Sequence, residues 1–204
     1  MALLDYERCA VRLGVSSAIE RHVRLHSCAK EPETVAWIEQ SLAAGDVFYD
    51  IGANVGAYTL VAAAYWGAAV RVVAIEPSAV NFARLIRNLT LNPCARQVIP
   101  LPVALGERTG VELLHMENLV PGGALHTVGA ATPEAGRRFR PVASYATLVF
   151  SLDALIAQFE LPPPMHLKLD VDGTELAVLK GAEETLRGVR SLLVEVDERQ
   201  AQGE

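Results

Sequence analysis

The stretch D-I-G-A-N-V-G-A-Y-T, Asp50 to Thr59, decides how this 204-residue chain is to be read. An apolar run, Val47-Phe48-Tyr49-Asp50-Ile51, leads into it as a strand, and Ala57 to Trp66 leaves it as a helix, with Gly67 in the place of a C-terminal cap. Between them lie two glycines four apart, so the main chain is free to turn tightly and to approach a ligand. A dinucleotide-binding turn follows G-x-G-x-x-G, whose second glycine admits a pyrophosphate close to the backbone. Here that position is Asn54, and the acidic strand end at Asp50 repels a pyrophosphate while suiting a cationic amino-acid group.

Working outward, the same alternation continues. Val70 to Ile75 reads as a second strand ending at Glu76, where a carboxylate can accept hydrogen bonds from both hydroxyls of a ribose. Phe82, Leu85, Ile86 and Leu89 recur with helical period, and Asn92-Pro93 stops them. A third strand near Gln97 to Val103 carries Pro100 and Pro102, which remove ladder donors and predict a sheet edge. Ser151 caps a helix carrying Leu152, Leu155, Ile156 and Phe159, ended by Pro162-Pro163-Pro164. Met165 to Val171 is the fourth strand, Thr174 to Leu186 a helix interrupted at Gly181, and Ser191 to Val196 the fifth strand. Upstream, Glu31 to Leu42 reads as an amphipathic helix closed by Gly45, and residues 1–30 as an extension with a short helix near Tyr6 to Leu13 followed by an extended piece. The expected fold is a single doubly wound α/β domain: a ligand-binding half at 31–105, an insert at 106–150 and a second half at 151–204.

Composition narrows the function classes. Eighteen basic against twenty-four acidic residues give a net charge of −6, which argues against a nucleic-acid substrate. Three widely spaced cysteines form neither a disulfide framework nor a paired zinc motif, and the five histidines are scattered, so no metal is expected. No apolar run is long enough to span a bilayer and no signal peptide opens the chain, so a cytoplasmic protein without a membrane partner is expected.

The chain resembles the FkbM family of S-adenosylmethionine-dependent methyltransferases, a class I group. The likeness covers about Glu31 to Val196. It rests on D-I-G-A-N-V-G-A-Y-T together with I-E-P-S-A-V-N-F at Ile75 to Phe82, A-L-G at Ala104 to Gly106, S-L-D-A-L at Ser151 to Leu155, and K-L-D-V-D-G-T-E at Lys168 to Glu175. The resemblance implies a Rossmann-like sheet of strand order 3-2-1-4-5 and methylation of a hydroxyl on a small-molecule or glycan acceptor. It also implies S-adenosyl-L-methionine as the donor, held by the first loop, by Glu76 and Asn81, and by residues around Ala104. The candidate donor contacts are therefore Asp50, Gly52, Ala53, Asn54, Gly56, Tyr58, Thr59, Glu76, Pro77, Asn81, Ala104 and Asp170. One departure is that sixth and seventh strands usual in this class are expected to be missing.

Asp170 ends the fourth strand, where strand order reverses, and is the candidate base for an acceptor hydroxyl. A capping role is the competing reading, and it weighs more heavily for Asp172 and Glu175. Lys168, in an otherwise apolar strand, is expected to pair with a neighbouring carboxylate such as Glu195 or Asp50. The long insert is read as a substrate lid, with Val111 to Met116 and Ala143 to Phe150 paired antiparallel and Pro121 to Ala124, with the alanine-rich stretch after it, mobile. His126 is a weaker acid/base candidate, and Arg137 to Arg140 a solvated basic turn. Two rival readings stay open: a donor-binding module without catalysis, and an NAD-dependent oxidoreductase.

Overall fold

The computed structural model describes residues 1–129 and 140–195. The chain opens with β1 (Ala2–Leu3) paired antiparallel to β2 (Arg12–Leu13). This replaces the helix expected near Tyr6 to Leu13. Val11 and Leu13 are buried while Arg12 between them is exposed, a period of two that only an extended strand gives, and Leu4 and Tyr6 join the same core. After it come α1 (Ala18–His22) and α2 (Ser27–Lys30). Ser17 and Glu20 cap α1 reciprocally, and the Asp5 carboxylate accepts from the Cys28 and Ala29 amides at the start of α2. Next, α3 (Pro32–Ser41) begins on a proline whose missing N–H costs nothing in a first turn.

The central unit runs β3 (Val47–Ile51), α4 (Ala57–Trp66), β4 (Arg71–Ile75), α5 (Ala79–Thr90) and β5 (Val98–Leu101). The insert follows as β6 (Ala104–Leu105), β7 (Gly110–Met116), β8 (Thr127–Val128) and β9 (Ala143–Phe150). The chain then returns through α6 (Leu152–Phe159), β10 (His166–Leu169), α7 (Glu175–Lys180), α8 (Glu183–Leu186) and β11 (Ser191–Val194). Gly181 separates α7 from α8.

Five parallel strands form the main sheet in the order β11-β10-β3-β4-β5. Alternate residues feed two cores. Phe48 and Val72 face α4 and the amino-terminal hairpin, whereas Tyr49, Ile51, Val73, Leu167 and Leu169 face α6 and α7. Both faces of β3 are therefore buried, as a central parallel strand requires, with Asp50 the one charged residue in it. Pro100 sits on β5, the edge strand, where its missing donor removes no ladder bond on the open side. At the far end of the sheet, Asp46, His166 and Ser191 tie β3, β10 and β11 together through bonds of 2.9 and 2.7 Å, and Arg190 adds a 2.8 Å bond to Asp46.

The insert is a second sheet, β6-β9-β7-β8, in which β7 and β9 pair antiparallel from Gly110↔Val149 to Met116↔Ala143. Pro121 to Ala124 is not the mobile stretch that its glycines suggested: Gly122 and Gly123 are buried and hydrogen-bonded across to other elements. The alanine-rich stretch, Arg137 to Phe139 and Val196 lie outside the described residues. Among the described residues no helix is long and apolar enough to cross a membrane.

Candidate active site

The chain adds β4 and β5 on one side of β3, then β10 and β11 on the other, so a crevice opens between the carboxyl ends of β3 and β10. Gly52 stands at that point with φ +83°. A Cβ there would lie 1.7 Å from the Asp170 carbonyl oxygen, so only glycine lets the two strand ends approach. Gly56, at φ +86°, likewise clears Leu85 of α5. The two glycines of the loop thus serve the packing of strand and helix around the crevice. Asn54 takes the left-handed conformation between them, at φ 51°, which asparagine tolerates better than most residues.

Glu76 follows β4 and is 5% exposed. Its two carboxylate oxygens accept from the Asn54 amide at 2.8 Å and the Ser78 amide at 2.9 Å. Burial pushes its carboxyl up to about 7, although those two amides pull it down. Each oxygen keeps a further lone pair for an outside donor.

Asp50 and Lys168 lie side by side on β3 and β10, nearly sealed from solvent. Asp50 accepts from the Thr59 hydroxyl at 2.5 Å, and burial raises its carboxyl despite the Lys168 charge. Lys168 makes the expected ion pair with a neighbouring carboxylate, but the partner is Asp170, at 3.0 Å, in place of Glu195 or Asp50. Residues two apart along an extended chain share a face, which brings the Asp170 carboxylate beside the ammonium, on the same face as Asp50 across the ladder. The ammonium also stands 5.1 Å from the centre of the Tyr58 ring. Burial alone would push Lys168 down, but Asp170 and then Asp50 outweigh it and hold the ammonium above its ordinary value. Asp170 is only half-buried, and Lys168 and a hydrogen bond with Glu195 keep its carboxyl below the ordinary range although partial burial would raise it. Burial and the Asp170 charge lift both neighbours, Asp172 to about 6 and Glu195 to about 7.

The cleft takes in about 850 Å³ of space, the open solvent at its mouth included. Of the residues expected from sequence, Gly52, Asn54, Glu76, Pro77, Asn81, Ala104 and Asp170 line it. Asp50, Ala53, Gly56, Tyr58 and Thr59 are buried and do not reach its wall. Asp172 and His126 also line it.

The insert forms the roof. The Gly123 carbonyl accepts from the Asn54 and Asn81 side chains at 2.8 and 3.0 Å, the Gly122 amide donates to Asn81, and Asp172 accepts from the Leu125 and His126 amides. Sequence reading missed Arg24 and Lys30, which the amino-terminal extension brings to the same wall. Arg24 donates from Nε to the Gly122 carbonyl at 2.9 Å. No local motif marks either residue; they arrive because Ser17 bonds to Pro121, Tyr58 to Ser27, and Arg84 to buried Glu20, fastening the extension over α4 and α5. Among the described residues no cluster of three His, Cys, Asp or Glu side chains is arranged to hold a metal.

Residues 50–204 match the family described as Methyltransferase FkbM domain. The hexuronic acid methyltransferase AglP of Haloferax volcanii is 27% identical over 187 residues, which span 92% of this chain and 70% of that protein. Among solved structures, a precorrin-6Y C5,15-methyltransferase from Geobacter metallireducens superposes with a TM-score of 0.47 at 14% identity, over 89% of this chain and 66% of that one. The C-terminal domain of the precorrin-6Y C5,15-methyltransferase of Rhodobacter capsulatus gives 0.39 at 12% identity, over 78% of this chain and 56% of that one. This chain therefore spans just under two thirds and a little over half of those two solved chains.

Proposed function

This chain belongs to the FkbM methyltransferase family, whose members depend on S-adenosylmethionine, and from that premise we propose that its cleft holds the donor against Glu76 and methylates a hydroxyl of a sugar or glycan. The observation that carries the reading is Glu76, a buried carboxylate fixed by two main-chain amides with lone pairs left for a pair of ribose hydroxyls. Ala104, Pro77 and Asn81 would take the adenine side, and Gly52 and Asn54 the amino-acid side, because Ala104 follows β5 and Pro77 and Asn81 follow β4, whereas Gly52 and Asn54 follow β3, beside the crevice. Asp50, Ala53, Gly56, Tyr58 and Thr59 act from beneath, by fixing the loop and its strand. The sugar class follows the hexuronic acid acceptor named for the Haloferax relative.

Bound S-adenosylmethionine supplies an electrophilic methyl group. The residues of the chain do the rest: they align the acceptor, exclude water and receive a proton. Alignment contributes most of the acceleration in such a displacement. Asp170 is the base in this reading, since Lys168 keeps it ionised at neutral pH and its side chain is 31% exposed beside Gly52. Asp172 is better matched in strength, but one of its oxygens already accepts from two roof amides. The Gly122 to His126 roof is the lid of this reading, and water is shut out when it is in place.

The test is methyl transfer from isotopically labelled S-adenosylmethionine to a panel of hexosides and hexuronosides, followed by mass spectrometry. A gain of one labelled methyl on a hydroxyl is expected. Labelling of a nitrogen or carbon acceptor in its place, or none on any sugar, would refute the assignment.

A further inference from the structure

We propose that Arg24 and His126 form a subsite for a carboxylate carried by one of the two reactants, a reading that rests on the methyltransferase function above.

Carboxylates dominate the cleft wall: Glu76, Asp170, Asp172 and Glu195 all reach it. An anionic group entering that field needs donors that are not already engaged. Asn54 and Asn81 both spend a side-chain N–H on the Gly123 carbonyl, and Lys30 is paired with Glu31 at 2.6 Å. Arg24 is different. Its Nε bond to Gly122 fixes the plane of the guanidinium, and among the described residues its two terminal nitrogens have no hydrogen-bond or ion-pair partner. It lines the same cleft, and its charge draws the Glu76, Asp170 and Asp172 carboxyls downward. A planar guanidinium anchored at Nε presents the remaining fork that carboxylates accept.

His126 supplies the second donor. Its Nδ1 accepts from the Glu117 amide at 3.4 Å, so the proton of the neutral ring sits on Nε2. That Nε2 is buried and has no partner. Burial, followed by the nearby Arg24 charge, lowers the ring to about 4, so it stays neutral near pH 7 and serves as a hydrogen-bond donor, not as a second cation. A buried N–H without an acceptor is costly, and a ligand oxygen relieves it.

Two reactants can bring the carboxylate: the donor, through its amino-acid end, or the acceptor, if it is a uronate. The experiment separates them. Arg24→Gln, Arg24→Lys and His126→Phe are prepared and shown to fold by circular dichroism and thermal melting. Calorimetry then compares S-adenosylhomocysteine, which has the carboxylate, with 5′-methylthioadenosine, which lacks the whole amino-acid group; turnover compares a uronoside with its neutral hexoside. For a carboxylate on the donor, Arg24→Gln and His126→Phe weaken S-adenosylhomocysteine at least about tenfold more than methylthioadenosine, the scale of a lost charge-assisted bond. For a carboxylate on the acceptor, donor affinity holds while the preference for uronoside over hexoside collapses by a similar factor. In either case Arg24→Lys recovers part of the loss, because the charge remains and the fork does not. Equal losses for both members of each pair, or none, would overturn the subsite. If the wild-type protein binds neither nucleoside, the methyltransferase reading falls and the subsite with it.

Discussion

Replacing Glu76 with Gln separates the two tasks assigned to that carboxylate. In the folded chain its proton is held up to about 7, against an ordinary 4.5. Between those values the unfolded state binds fewer protons than the folded one, so stability falls as pH rises through the window. At about 1.4 kcal/mol per pH unit the gap amounts to about 3 kcal/mol, an upper bound for one buried group. Glutamine does not titrate, so this part of the pH dependence vanishes. The variant is less stable than wild type at pH 5, because its amide leaves one of the two amides of Asn54 and Ser78 facing another donor at a cost of about 1–3 kcal/mol. By pH 8 most or all of that deficit has gone. Donor affinity moves the other way: the loss of one charge-assisted ribose bond weakens binding about 10- to 150-fold. Urea melts from pH 5 to 8 and calorimetry with S-adenosylhomocysteine measure both. Parallel stability curves for the two proteins would refute the buried ionisation, and an unchanged dissociation constant would remove Glu76 from the donor site.

Three further outcomes follow from the same geometry. Gly52→Ala brings a methyl onto the Asp170 carbonyl at a backbone φ of +83°, and a loss of about 3 kcal/mol or more, read as a large fall in melting temperature, is expected. Asp170→Asn should slow methyl transfer about 10²-fold and also cost about 2 kcal/mol, since Lys168 loses its ion pair; adding Lys168→Met should restore part of the stability and none of the rate. Asn81→Ala unlatches the roof at Gly122 and Gly123, so amide exchange at Gly122 should rise at least about fivefold, checked by hydrogen-exchange NMR.

How much of this was legible beforehand differs from element to element. The crevice and Glu76 were readable because they depend on local order: strand, glycine turn, helix, then a second strand ending in an acid. The Ser151 cap and the break at Gly181 were readable for the same reason. The amino-terminal hairpin was not, since Tyr6 to Leu13 mixes charged and apolar residues, and its burial comes from contact with α3 and α4, distant in sequence. Arg24 was invisible for a related reason, its place being set by its own bond to Gly122 and by that of Ser17 to Pro121, about a hundred residues away. Gly122 and Gly123 suggested mobility by composition, yet their main-chain groups find partners on Arg24, Asn54 and Asn81. Lys168 was recognised as needing a carboxylate. Which one depended on side-chain reach: Asp170, two residues on and just past β10, forms the pair, although Asp50 faces Lys168 across the ladder.

A crystal structure with S-adenosylhomocysteine tests the central claim most directly. The expected result is the nucleoside in the crevice between β3 and β10, with both ribose hydroxyls within hydrogen-bond distance of the Glu76 carboxylate and the sulfur on the side of Gly52 and Asp170. Density for the nucleoside elsewhere on the protein, or in the crevice with its ribose turned away from Glu76, would contradict it.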